Sequence, residues 1–208
     1  MLSPIKSFLS CKRIFLASGS PRRQELIKNI GVNVELCPSL FEENLDFKNF
    51  PSFSEFVEAT ALGKVEEVFE RLSRSNKAPD IVIGADTVVT LNGKIYGKPK
   101  TREEAFETLS ELVGKSHIVY TGVVIKYGSK ISKFTETATV QFGRANAEQI
   151  QAYVDTGEPM DKAGSYGIQG VGGTLVERID GDFFTVMGLP LYRLSVALLE
   201  LFDYKVEK

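Results

Sequence analysis

Tryptophan is absent from this 208-residue sequence, histidine occurs once, as His117, and cysteine twice, as Cys11 and Cys37. So few soft ligands cannot assemble a four-ligand Cys/His zinc site, and two unclustered thiols do not make a disulfide scaffold. A Cys/His nucleophile pair would have to recruit the lone histidine, which makes that chemistry a poor reading. Thiols of this kind are more often reduced than bridged, which points to an intracellular, cytoplasmic protein. An excess of charge is missing too. The 25 Lys and Arg nearly balance the 27 Asp and Glu, giving −2 and arguing against a polybasic nucleic-acid binder, so any phosphate site must be local. No apolar run reaches the roughly 18 residues of a membrane span, so no membrane partner is expected. What remains, 43% hydrophobic and 25% charged, suits a globular α/β unit with a real core.

Residues 1–24 carry Lys6, Lys12, Arg13, Arg22 and Arg23, five serines and no acid, a composition resembling an organelle transit peptide. The run Ile14-Phe-Leu-Ala17 reads instead as a buried strand entering a turn and helix, which gives those basic residues a structural use. Residues 1–12 are therefore read as an N-terminal extension and residues 13–208 as one domain.

Strand and helix patterns alternate along the chain, the mark of an α/β or mixed-sheet domain. Ser20-Pro21 is placed to cap a helix ending by Gly31. Ser52-x-x-Glu55 opens a long helix with the apolar stripe Val57, Ala61, Val65, Val68 and Leu72. Lys64 lies at the edge of that stripe, about 40° from Val68. Ile81-Val-Ile83 reads as a strand buried on both faces. Thr101-x-x-Glu104 opens a helix stopping at Gly114, segments 117–127 and 131–142 form a hairpin across Gly128-Ser129, and Asn146 caps another helix. Residues 158–173 hold five glycines and read as a loop, followed by two short strands around Asp180-Gly181-Asp182 and an apolar helix from Pro190.

Three segments carry candidate chemistry. In Leu16-Ala-Ser-Gly-Ser-Pro-Arg-Arg23, a small-residue turn at a helix start combines free backbone N–H groups with two hydroxyls and two guanidinium groups, a set that suits phosphate. It lacks the pattern of a Walker A loop, and a solvated helix start is the alternative. Gly84-Ala-Asp86-Thr87 leaves a carboxylate and a hydroxyl at the carboxyl end of a buried strand, where open sheets place ligands; an Asp satisfying a turn is the competing explanation. Lys98 follows in a Gly-Lys-Pro turn, and alone would be a surface lysine. The third segment, Glu158 to Gly170, sets Asp161, Lys162 and Gln169 in a glycine-rich loop, functional or merely connecting.

The segments LASGSPRRQELI, IGADTVV, GKP and GEPMDKAGSYGIQGVGG, with GLPLYRL after them, resemble in order the Maf family of nucleoside triphosphate pyrophosphatases. The resemblance runs from about Arg13 to Phe202. It implies a single mixed-sheet α/β domain similar to the inosine triphosphate pyrophosphatase fold, with two lobes around a nucleotide cleft, a divalent cation and a homodimer; oxygen-ligand chemistry favours Mg²⁺ or Mn²⁺ over zinc. It places the phosphate-binding turn on Ser18, Arg22 and Arg23, metal-holding carboxylates on Glu43 and Asp86, and a helix lysine on Lys64. Asp86 is also the implied base, with Lys98 and Lys162 as catalytic cations and Thr87, Asp161 and Gln169 as substrate contacts.

A free Asp, with a pKa of about 3.9, is a poor base at neutral pH, so Asp86 is expected to act through a water it orients or one held by the metal. Arg22, Thr87 and Gln169 match the subgroup acting on dTTP and UTP, and the Gln169 amide can pair with the O4, N3–H and O2 edge of a pyrimidine. The expected reaction is hydrolysis to monophosphate and pyrophosphate, which would keep non-standard nucleotides out of nucleic acid. The alternatives are a non-catalytic nucleotide sensor in cell-division control and a 7-methyl-GTP pyrophosphatase.

Overall fold

The stripe predicted between Val57 and Leu72 does become one helix face. In the computed structural model, which describes residues 2–75 and 77–204, a helix spans Phe53–Ser73 and Ser52 Oγ accepts the Glu55 N–H at 3.2 Å. Among the described residues the order is α1 (Lys6–Ser10), β1 (Ile14–Leu16), α2 (Pro21–Asn29), β2 (Glu35–Leu36), α3 (Phe53–Ser73), β3 (Ile81–Leu91), β4 (Lys94–Tyr96), α4 (Arg102–Leu112), β5 (Ser116–Tyr127), β6 (Lys130–Phe142), α5 (Ala147–Asp155), β7 (Val176–Gly181), α6 (Phe183–Met187) and α7 (Leu191–Leu201), with short 3-10 turns between some of them. The strands form one mixed sheet in the order β2-β1-β3-β5-β6-β7, with β4 paired to β3. None of the described helices is long and apolar enough to cross a membrane.

The described residues fall into two compact units. One holds the chain up to Asp86, Thr121–Glu136 and the chain from Gly188; the other holds Thr87–Tyr120 and Thr137–Met187. In the first unit β1 lies parallel to both its neighbours, Phe15 opposite Glu35 of β2 and Val82 of β3. The apolar face of α3 packs there: Ala61, Val65, Val68 and Leu72 share a buried cluster with Phe15, Val82 and Val124. The described part of the segment read as an extension, residues 2–12, is built into this unit. Leu2, Ile5 and Leu9 are buried, and the Phe8 ring lies 4.5 Å from that of Phe202.

In the second unit β4 runs antiparallel to the end of β3, and β7 antiparallel to the end of β6, with an irregularity at Gln141/Phe142. Ala105, Leu109 and Leu112 of α4 pack with Ile150, Tyr153 and Val154 of α5 on the buried Val119, Val140 and Phe142. Asn146 and Gln149 form a reciprocal capping box at the start of α5.

Several expectations need correction. Ser20 is the residue before α2, but its side chain makes no capping bond; its own N–H goes to Ser18 Oγ at 3.2 Å. Only the first of the two strands expected around residues 180–182 exists. Asp182 accepts the N–H groups of Phe184 and Thr185, at 3.2 and 2.9 Å, and so starts the short helix α6. The glycine-rich segment is not plain loop either, since Glu158–Asp161, Ala163–Ser165 and Val171–Leu175 form 3-10 turns.

Candidate active site

Lys64 sits on the buried side of α3, and a buried ammonium needs carboxylates. It has two. Its Nζ lies 2.8 Å from Asp86 Oδ1 and 3.0 Å from Glu43 Oε1. Side-chain exposure is 11% for both Lys64 and Asp86 and 51% for Glu43, so the inner pair is largely out of water while the outer carboxylate is reachable. Asp86 is not at the end of its strand as the Gly-Ala-Asp turn suggested, because β3 continues unbroken to Leu91. Its carboxylate therefore projects from a rigid extended segment, held from one side by α3.

Arg23, in the first turns of α2, is folded back onto the protein. Its Nε donates to the Gly188 carbonyl at 2.8 Å and its Nη1 to the Ala85 carbonyl at 2.9 Å and Ser18 Oγ at 3.4 Å. Burial pushes this guanidinium below its ordinary value; the Asp86 carboxylate opposes that shift, Arg22 adds to it and Glu43 opposes it. Ser18 is buried near the start of the small-residue turn. Ser18, Arg22, Arg23, Glu43, Lys64 and Asp86, chosen from four separate stretches of sequence, thus occur as one electrostatically connected group in the first unit.

The remaining candidates lie in the second unit. Thr87 is half-buried next to Asp86 along β3, and Lys98 is exposed in the turn after β4. Lys162 Nζ donates to the Glu158 carbonyl at 2.7 Å and pairs with Asp161 at 2.5 Å. Gln169 is exposed in a turn closed by the bond from the Gly170 N–H to the Gly167 carbonyl, 3.1 Å. Sequence reasoning gave no role to Glu158, whose carboxylate accepts two backbone N–H groups of that segment, from Val171 and Gly172, both at 2.9 Å. The one available signal was an acid placed among glycines whose backbone donors need partners.

The carboxylate oxygens of Asp86 and Glu43 that meet on Lys64 have the donor chemistry of a hard divalent cation. Among the described residues no group of three or more His, Cys, Asp and Glu comes together, which does not suit a zinc cage. A pair of carboxylates is the donor set that Mg²⁺ or Mn²⁺ commonly takes, with water and phosphate oxygens completing the shell. Asp86 and Glu43 are the residues that would hold the cation.

Fold and cluster together define an α/β protein with a cation-lined, carboxylate-bearing site suited to a phosphorylated ligand. The chain belongs to the Maf family: the family profile, described as Maf-like protein, matches residues 13–201. A human relative named "Probable bifunctional dTTP/UTP pyrophosphatase/methyltransferase protein" is 44% identical over 211 residues, covering 97% of this chain but only 34% of the human protein. Proteins named dTTP/UTP pyrophosphatase from Clostridium perfringens and Caldicellulosiruptor bescii are 45% and 46% identical, covering 89% and 91% of this chain and 95% of each relative. The crystal structure of protein VC0702 from Vibrio cholerae has the same fold, with a TM-score of 0.50 at 11% identity, over 93% of this chain and 99% of that one.

Proposed function

We propose that this protein hydrolyses dTTP and UTP to the nucleoside monophosphate and pyrophosphate. The observation that carries the reading is the Lys64 ammonium holding Asp86 and Glu43 together at 2.8 and 3.0 Å in a chain so similar to proteins named for this activity. Water attacks the α-phosphorus, the bond to the α,β-bridging oxygen breaks, and pyrophosphate leaves with the bonding electrons. Asp86 orients the water and receives its proton, while Lys64 keeps the carboxylate aimed. Ser18, Arg22 and Arg23 bind phosphate oxygens, as a turn of hydroxyls, guanidinium groups and helix N–H groups does for any polyanion. When bound at Glu43 and Asp86, a divalent cation supplies charge neutralisation and polarisation of the phosphate oxygens.

Lys98 and Lys162 enter the proposal as cations acting on the phosphates, and Thr87, Asp161 and Gln169 as substrate contacts, all on the family resemblance. Gln169 is assigned the pyrimidine edge, because an amide offers a donor and an acceptor side by side. The reading includes a cytoplasmic homodimer with no nucleic-acid or membrane partner; a near-neutral net charge argues against a polybasic nucleic-acid binder.

The test is a panel of nucleoside triphosphates incubated with Mg²⁺, with pyrophosphate and inorganic phosphate measured separately. Release of pyrophosphate with dTMP or UMP, abolished by EDTA, is expected. Diphosphate plus inorganic phosphate would overturn the reaction, binding without turnover would favour a nucleotide sensor, and 7-methyl-GTP as best substrate would overturn the pyrimidine assignment.

A further inference from the structure

Glycine-rich turns are floppy unless something outside the local chain ties them down, because each glycine loses more backbone freedom on ordering than any other residue. The turn that carries Gln169 is tied at both ends to the same pair of side chains. On its entry side, the Gly167 N–H donates to the Tyr153 hydroxyl at 3.0 Å. On its exit side, the Val171 and Gly172 N–H groups donate to Glu158 Oε2 and Oε1, both at 2.9 Å. The Tyr153 hydroxyl in turn donates to Glu158 Oε1 at 2.9 Å, closing the ring. A Cβ on Gly170 would overlap Glu158 Oε2, so the backbone approaches the carboxylate as closely as only glycine permits. Gln169 itself is exposed, and among the described residues its amide makes no hydrogen bond, so nothing local holds its side chain except the placement of its backbone.

The carboxylate is well suited to this task. Burial alone would push Glu158 up, but the Gly172 and Val171 N–H groups and the Tyr153 hydroxyl outweigh it and hold the group below its ordinary value. It is therefore an anion at neutral pH and bonds the turn through charge-assisted contacts, which are about twice as strong as neutral ones.

We infer that Glu158 is a positioning residue for base selection, fixing with Tyr153 the Gly167–Gly170 turn that presents Gln169. The inference rests on the assignment of Gln169 to the pyrimidine edge. Glu158 touches no reacting atom, so its loss should disturb recognition of the base and spare the chemical step.

The experiment measures kcat and KM for dTTP and ATP in the wild type, Glu158→Gln, Tyr153→Phe, Gln169→Ala and the Glu158→Gln/Gln169→Ala double variant. Glutamine at 158 is nearly isosteric, yet whichever way its amide is turned the NH₂ faces a backbone N–H, so at least one bond to the turn is lost. Glu158→Gln is expected to raise KM for dTTP about tenfold while kcat changes by less than about threefold, and to lower the preference for dTTP over ATP towards that of Gln169→Ala. Tyr153→Phe should move in the same direction. Since the two residues act through one contact, the double variant should be no worse than Gln169→Ala alone. Hydrogen exchange at the Val171 and Gly172 amides should quicken in Glu158→Gln.

A dTTP preference left intact in Glu158→Gln and Tyr153→Phe, fully additive losses in the double variant, or unchanged exchange at both amides would overturn the inference and leave the substrate assignment standing. A wild type with no pyrimidine preference would overturn the substrate assignment, and this inference with it.

Discussion

The ring of Phe41 fills the space that a side chain at position 63 would need: a Cβ on Gly63 would stand 2.5 Å from two of its atoms. Phe41 lies two residues before Glu43, and Gly63 immediately before Lys64, so this contact sets where the irregular segment meets the helix. Glycine inside a helix ordinarily costs about 1 kcal/mol relative to alanine. Here Gly63→Ala is expected to destabilise instead, by about 1–3 kcal/mol, because the ring has to move. Activity on dTTP should fall about tenfold as Glu43 shifts. Thermal melting and initial rates check both, and Phe41→Ala in the same chain should recover part of the lost stability. A higher melting temperature in Gly63→Ala would refute the contact.

Removing one member of a buried ion pair strands the other, and Lys64 and Asp86 are not equivalent in this respect. Asp86→Asn leaves Lys64 with Glu43 at 3.0 Å. Lys64→Met leaves Asp86 with 11% side-chain exposure and no ammonium, a loss of the kind that costs about 3–5 kcal/mol. Denaturant titration should therefore find Lys64→Met the less stable variant, while Asp86→Asn stays folded and loses about 10²-fold or more in turnover. Near-normal turnover in Asp86→Asn would remove Asp86 from the mechanism.

His117 gives stability a pH window of its own. It is 1% exposed, packs edge-on against Phe142 with ring centroids 4.7 Å apart, and has its Nε2 3.0 Å from the Tyr166 hydroxyl. Among the described residues its buried Nδ1 has no partner. Burial pushes the imidazole down to about 4, against about 6.5 in the unfolded chain. Between those values the unfolded state binds the extra proton, so stability falls as pH drops from about 6.5, by about 3 kcal/mol near pH 4. As the single histidine, it should account for the upper part of that window alone. Melting from pH 7 to 5 should show the decline in the wild type and a flatter curve in His117→Phe; equal slopes would exclude His117 as the cause.

Residues 2–12, lying before the family match begins at residue 13, are proposed to be a working part of the fold. Leu9 is 7% exposed, and the Phe8 ring meets Phe202, which meets Tyr127 at 5.2 Å. Leu9→Ala should cost about 2–5 kcal/mol in denaturant titration and leave the preference for dTTP over ATP unchanged. A loss below about 0.5 kcal/mol would mark the segment as dispensable.

Features that repeat locally were legible in the sequence. The α3 stripe, the Ser52, Thr101 and Asn146 caps and the hairpin at Gly128 follow from periodicity and turn chemistry, and the structure has them all. The meeting of Lys64 with Asp86 was half legible, since helical spacing put the lysine near the apolar face without saying which strand it faced. Asp86 in mid-strand was not legible, because Gly84-Ala85 reads as a turn unless the packing of α3 against β3 is known; a Cβ on Gly84 would stand 2.5 Å from Val65 Cγ2. The 3-10 turns after Glu158 escaped for a similar reason. They are held by bonds reaching from Tyr153 and Glu158 across as many as fourteen positions, and no local pattern encodes those.

Arg23 is oriented by carbonyls 62 and 165 positions further along the chain, those of Ala85 and Gly188. Its guanidinium is aimed only when strand β3 and the chain just before α7 have both taken their places, so a nascent or clipped chain ending before Gly188 would carry every side chain of the proposed phosphate turn and still present Arg23 loosely. Loosening at Gly188 alone would release the Arg23 Nε while leaving every strand pair of the sheet in place, so orientation within the site and integrity of the sheet are separable quantities.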